Sequence, residues 1–237
     1  MTARSSLSAL TRRVETATLL ALILVAGGIW AFFALASEML EGELHAFDET
    51  VLLALRTPGD PTDPIGGPRL EVAMRDLTAL GGAVILTLIT ACVVFYLLLA
   101  RQRGAALLLA LTIAGGSLVS TLFKMGFDRP RPDLVPHGTE VLTASFPSGH
   151  SMMAAVTYLT LAVMLARAER ARRIKVFYLV VAMVVTMLVG VSRVYLGVHW
   201  PSDVLAGWAL GAAWALGVWL IARALERRGQ IEPEKGS

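Results

Sequence analysis

Six runs of predominantly apolar residues, each near the length that crosses a bilayer, dominate this chain. They fall at about 17–36, 79–100, 104–123, 151–166, 176–192 and 204–222. A helix needs about 20 such residues to span a hydrocarbon core. The fourth and fifth runs reach that length only by extending a few residues into their flanks. The pattern predicts an all-α, polytopic membrane protein with six transmembrane helices. Composition agrees, because only 16% of the 237 residues are charged, against about 25% in a soluble domain. The single cysteine, Cys92, lies inside an apolar run, so no internal disulfide is possible. Residues 1–226 read as one membrane domain and 227–237 as a polar cytoplasmic tail.

Charge fixes the expected orientation. Arg4, Arg12 and Arg13 precede the first run, and Arg101 and Arg103 join the second to the third. Arg167, Arg170, Arg172, Arg173 and Lys175 join the fourth to the fifth, and Arg223, Arg227 and Arg228 follow the sixth. All four groups share one side of a six-span arrangement, the cytoplasmic side by the positive-inside rule. Segment 37–78, on the opposite side, carries nine acidic residues against three arginines. The sequence pI of about 9.3 therefore reflects topology, and no nucleic-acid partner is expected because the basic residues form no single patch.

Segment 37–78 carries more pattern than a plain linker. Residues 47–56 show apolar positions at helical spacing and suit a short interfacial helix. Pro58, Pro61, Pro64 and Pro68 break the next stretch into turns, and 70–77 predict a second short helix. Packing beneath the outer loops is the expected role; admitting a lipid is the alternative. At the first run, Ala34-Leu-Ala36 also resembles a signal-peptidase site, but the apolar stretch exceeds a signal core of about 7–15 residues.

Six spans bring three polar clusters to one membrane face. Lys124, Arg129 and Arg131 follow the third run; Ser148, Gly149 and His150 precede the fourth. Ser192 and Arg193 end the fifth, while His199 and Asp203 open the sixth. Each cluster has an ordinary explanation by itself. Cations at span ends anchor helices by snorkelling, Pro147-Ser-Gly-His150 can be a turn capped by Ser148, and His199-Trp-Pro-Ser-Asp203 can start a helix. Trp200 suits an interfacial aromatic on any reading. Outer-face cations run against the positive-inside bias, however, and a half-buried Arg193 calls for an anion.

The combined set has the parts of a phosphoryl-transfer site. Lys124, Arg131 and Arg193 supply positive charge, two of them as planar donor forks. Ser148, Gly149 and the first amides of the fourth span form a helix N-terminus that favours an anion. If the sixth helix extends back to His199, Asp203 lies on the same face and can orient that ring. A histidine oriented this way is a nucleophile, and a second one can protonate a leaving group. Spacing alone does not say which of His150 and His199 does which. No cluster with metal-ligand spacing is present, so no metal or cofactor is expected.

Lys124-(six residues)-Arg131-Pro132, Pro147-Ser-Gly-His150 and Ser192-Arg193-(five residues)-His199-(three residues)-Asp203 together resemble the three-part signature of the type 2 phosphatidic acid phosphatase superfamily. The spacing selects Arg131 for the motif and leaves Arg129 as a surface cation. The resemblance implies metal-independent hydrolysis of a lipid phosphate ester or diphosphate at the outer face of a bacterial-type plasma membrane. It implies that His199 becomes a phosphohistidine, that Asp203 orients it and that His150 is the general acid. Lys124, Arg131, Ser148, Gly149 and Arg193 would hold the phosphoryl oxygens. The implied partners are the bilayer and a phospholipid or polyprenyl phosphate, with polyprenyl diphosphate preferred because that carrier is released outside. Phosphatidylglycerol phosphate, phosphatidic acid and lipid A phosphate are the alternatives. Vanadium haloperoxidases and soluble acid phosphatases have a similar signature but not six spans. A protein that only binds or transports phosphate would not need the His150, His199 and Asp203 set.

Overall fold

The structure is a computed structural model and describes residues 3–139 and 143–227, with side chains from 16 to 139 and from 143 to 225. Eight helices and one small hairpin follow one another: α1 (Ala3–Glu41), α2 (His45–Leu53), β1 (Arg56–Thr57), β2 (Asp60–Pro64), α3 (Gly67–Ala79), α4 (Ala83–Leu99), α5 (Arg103–Phe127), α6 (Gly149–Ala168), α7 (Arg172–Tyr195) and α8 (Pro201–Arg227). Five helices are long and apolar enough to cross a membrane. A sixth span is counted if α3 and α4, bent by 45° at their junction, are taken as one. Leu22, Phe95, Leu111, Leu122, Phe177 and Met187 are among the large apolar side chains exposed on these helices. Lipid, not water, is the solvent such a surface matches. The chain is a multi-pass membrane protein.

Small residues set the spacing at the centre of the bundle. α6 packs against α7 and α8, and α1 against α8. A Cβ on Gly207 would lie 2.7 Å from the Ser148 carbonyl oxygen, and one on Gly211 would lie 2.6 Å from that of Met152. Glycine is thus what lets α8 press against α6, the close approach typical of membrane helix pairs. Indole N–H groups fasten α8 to its other neighbours: Trp208 Nε1 donates to the Thr186 carbonyl at 3.1 Å and Trp214 Nε1 to that of Thr112 at 3.0 Å. Buried tryptophans need such partners. Phe32 and Ala36 of α1 join Phe146, Met152, Ala206 and Leu210 in one core cluster. Residues 34–36 therefore sit inside a packed helix.

Two expectations change. The second span does not run continuously from 79 to 100, because the chain turns through Leu80, Gly81 and Gly82 before α4 begins. Residues 37–78 contain the expected short helices, longer or displaced, plus an antiparallel hairpin in the proline-rich stretch. Pro61 and Pro64 fit there because an edge strand leaves amides unpaired. The tail from 228 onward lies outside the described residues.

Candidate active site

The first turn of α8 is organised by its own carboxylate. Pro201 opens the helix, and Asp203 Oδ2 accepts the Trp200 backbone N–H at 3.0 Å. A third-position acid reaching back to the residue before the helix satisfies a donor that would otherwise be orphaned. The helix does not extend back to His199, contrary to the sequence-based geometry. His199 instead reaches Asp203 from the preceding loop, with Nδ1 3.3 Å from Oδ2. Ser145 Oγ lies 3.3 Å from the same nitrogen and donates its own proton to Asp203 Oδ2.

The neighbours of His199 select its tautomer. Arg131 NH1 stands 3.2 Å from Nε2, and a guanidinium has no acceptor. Nε2 therefore carries the lone pair and Nδ1 the proton, which points at Asp203 and Ser145. The ring is 1% exposed. Burial holds its pKa well below the ordinary imidazole range, and the charges of Arg193, Arg131 and Lys124 push the same way. His199 is a neutral, oriented imidazole at neutral pH.

Three cations surround it without a carboxylate partner among the described residues. Lys124, in the last turn of α5, donates from Nζ to the Ala144 carbonyl at 2.7 Å. Arg131 holds the same loop through Nε to the Thr143 carbonyl at 2.8 Å and reaches the Val198 carbonyl through NH1. Arg193, in the last turn of α7, is 4% exposed; its NH1 donates to Thr78 Oγ1 at 3.0 Å, while Nε has no partner. An unpaired donor on a buried cation is costly in a core and suits a site for an anion.

Ser148 caps α6, its Oγ accepting from the Ser151 amide at 3.4 Å, and its own amide donates to the Asp203 carbonyl at 3.0 Å. That second bond locks the starts of α6 and α8 together. A Cβ on Gly149 would sit 3.3 Å from Lys124 Cε, so glycine lets the ammonium stem lie over the helix start. His150 follows, within electrostatic range of Arg193, His199, Lys124 and Arg131. Its ring makes no hydrogen bond among the described residues and lies against the α3–α4 bend, where a Cβ on Gly82 would be 3.8 Å from Nε2. All eight residues singled out in the sequence thus gather where α5, α6, α7 and α8 meet.

Four further residues complete the network. Arg129 is not a surface cation: its side chain is 11% exposed, and NH1 donates to Asp203 Oδ1 at 2.6 Å while NH2 donates to Asp48 Oδ2 at 2.7 Å. Asp48 comes from α2 and is fully buried, accepting from the amide and hydroxyl of Ser202 at 2.8 and 2.6 Å. Ser145 is the fourth. The two hydroxyls carried no sequence signal, while the doubled Arg-Pro is visible in the sequence but its spacing assigns Arg129 to the surface. Asp48 had a faint one, since it shares a helical face with buried Leu52. Arg129 fell to the surface reading because its partners lie 74 and 81 positions away.

Comparison with known proteins points the same way. A family model described as the PAP2 superfamily matches residues 105–227. Phosphatidylglycerophosphatase B of Bacillus subtilis is 38% identical over 150 residues, 61% of this chain and 71% of that protein. An undecaprenyl-diphosphatase of Sulfolobus acidocaldarius is 30% identical over 118 residues, 47% of this chain and 52% of that protein. The crystal structure of a transmembrane PAP2-type phosphatidylglycerolphosphate phosphatase from Bacillus subtilis superposes with a TM-score of 0.78 at 29% identity, covering 86% of this chain and 98% of that one.

Proposed function

The chain belongs to the PAP2 superfamily and is a membrane-embedded phosphoric ester hydrolase; we propose that it removes phosphate from a lipid through a phosphohistidine on His199. The carrying observation is the state of that ring: Nε2 bears its lone pair beside Arg131, and Nδ1 points its proton at Asp203 and Ser145. In the first step Nε2 attacks phosphorus and the bond to the lipid oxygen breaks. His150, protonated, gives its proton to that oxygen. In the second step His150 takes a proton from water as the water attacks phosphorus, the N–P bond breaks and phosphate leaves. Lys124, Arg131, Arg193 and the start of α6 at Ser148 and Gly149 offset the charge on the phosphoryl oxygens in both steps. The protein's own cations supply this charge, so no metal is required.

A phosphomonoester on a glycerol headgroup, as in phosphatidylglycerol phosphate, is the favoured substrate. Support comes from the similarity to phosphatidylglycerophosphatase B and to a phosphatidylglycerolphosphate phosphatase over nearly its whole chain. Polyprenyl diphosphate is the second reading, favoured by the similarity to an undecaprenyl-diphosphatase. Six spans with both termini cytoplasmic would open the site to the exterior, as the loop charges indicate. The deciding experiment assays purified protein in detergent, with chelator, on phosphatidylglycerol phosphate, polyprenyl diphosphate, phosphatidic acid and lipid A phosphate side by side. Phosphate should be released, fastest from the first, and vanadate should inhibit. Strict dependence on added magnesium would overturn the mechanism. Labelling of Asp133→Cys, in a Cys92→Ser background, by an impermeant maleimide on intact cells tests the orientation; reaction only after permeabilisation would reverse it.

A further inference from the structure

Two buried carboxylates share one guanidinium beside His199. Arg129 NH1 reaches Asp203 Oδ1 at 2.6 Å and its NH2 reaches Asp48 Oδ2 at 2.7 Å, with both carboxylates fully buried. Arg129 also stands over the Trp200 ring at 5.6 Å. Ser202 ties Asp48 to the first turn of α8 through its amide and hydroxyl, and Arg129 NH1 adds a bond of 2.8 Å to the Ser202 hydroxyl. Asp48 belongs to α2, a segment outside the three-part signature. The network thus runs from α2 through the loop after α5 into the carboxylate that faces Nδ1 of His199.

Charge explains why both acids are needed. A buried carboxylate is tolerated only when paired and hydrogen-bonded. With Arg129 alone, Asp203 would be paired but its charge would be cancelled. With Asp48 present, the three side chains sum to one negative charge, held next to the ring that becomes a phosphorylated imidazolium. We infer that Arg129 and Asp48 are positioning residues: Arg129 fixes the Asp203 carboxylate, and Asp48 balances Arg129 so that Asp203 keeps its charge for His199. This rests on the phosphohistidine reading above. It gives segment 37–78 a part in the chemistry in addition to packing.

The test compares steady-state hydrolysis of the best lipid phosphate, and quenched phosphoenzyme, in wild type, Arg129→Gln, Arg129→Lys, Asp48→Asn, the Asp48→Asn/Arg129→Gln double variant and His199→Ala. Removing the cation leaves two unpaired carboxylates together, so Arg129→Gln should lower kcat about 100-fold with KM little changed. Adding Asp48→Asn should recover about tenfold by relieving the repulsion, a gain no independent structural loss would give. Arg129→Lys should fall between wild type and Arg129→Gln. Asp48→Asn alone, nearly isosteric, should lower kcat about tenfold by leaving Arg129 to cancel Asp203. Normal kcat in Asp48→Asn, or a double variant no better than Arg129→Gln, overturns the inference. Should Arg129→Gln fail to fold, Asp48→Asn still decides it. An active His199→Ala would instead overturn the underlying mechanism, whatever these variants do.

Discussion

The two histidines occupy opposite kinds of surroundings. His199 is held on both ring nitrogens, by Arg131 on one and by Asp203 and Ser145 on the other, and is 1% exposed. His150 has no hydrogen bond among the described residues and rests against the glycine bend between α3 and α4. A nucleophile must hold one tautomer and one direction, which requires partners on both sides of the ring. A group that passes protons to a leaving oxygen and then takes one from water needs an open nitrogen on the side where both arrive. The contrast supports the division of roles on grounds that motif spacing could not supply.

The largest expected effect breaks the pair apart. On the proposed mechanism His199→Ala should lower kcat by about a thousandfold or more on every substrate, since no covalent step would remain. His150→Ala should cost about 10²–10⁴-fold on a lipid alkyl ester, whose leaving oxygen needs a proton. On an aryl phosphate, whose leaving group departs as the anion, the His150→Ala penalty should shrink by at least about tenfold, in line with its origin in proton transfer. The His199→Ala penalty should not shrink. Equal penalties for both variants on both esters would mean that the asymmetry around the two rings has no chemical meaning.

A smaller effect sharpens the same contrast. Ser145→Ala removes one of the two groups facing Nδ1 and the hydroxyl proton given to Asp203. A buried hydrogen bond to a charged group contributes about 1.5–3 kcal/mol, and because Asp203 itself still faces Nδ1, the smaller share lost from the transition state should lower kcat about tenfold with KM unchanged. Wild-type kcat in this variant would show that the Asp203 contact alone orients the ring.

How much of this was legible in the sequence depends on how far apart the partners are. The apolar helices could be read because hydropathy is local, and the eight candidate residues could be singled out because their order and spacing resemble a family signature. The α3–α4 bend was lost: Gly81 and Gly82 break the helix, yet the apolar residues on both sides carry a hydropathy run straight through them. Asp48, Ser145 and Ser202 could not be found because each acts through a contact with a residue distant in the chain, Asp48 and Ser202 being 154 positions apart. Segment 37–78 offers nine acidic residues, and the helical face that Asp48 shares with Leu52 is too faint a pattern to mark it as the one that folds inward. Arg129 was missed for the same reason, its partners lying 74 and 81 positions away, and the motif that fixes which arginine matches says nothing of what its neighbour does.

The smallest effect concerns stability, and it follows the His199 ring through its titration. Burial depresses the His199 pKa, with Arg193, Arg131 and Lys124 adding to the shift. The unfolded chain has an ordinary histidine there, with a pKa of about 6.5. Above that value neither state binds the proton, and the contribution of the neutral ring to stability is complete. As pH falls below it the unfolded state takes up a proton that the folded state refuses, so stability declines with a slope of at most about 1.4 kcal/mol per pH unit from this one group. The decline continues until the depressed folded pKa is reached. His199→Asn removes that titration and leaves the other groups in place. Unfolding midpoints in detergent from pH 7.5 down to 5 should therefore fall less steeply for His199→Asn than for wild type. Identical slopes would mean that His199 takes up its proton in the folded state as readily as in the unfolded one, and the neutral nucleophile held by its neighbours would lose its physical basis.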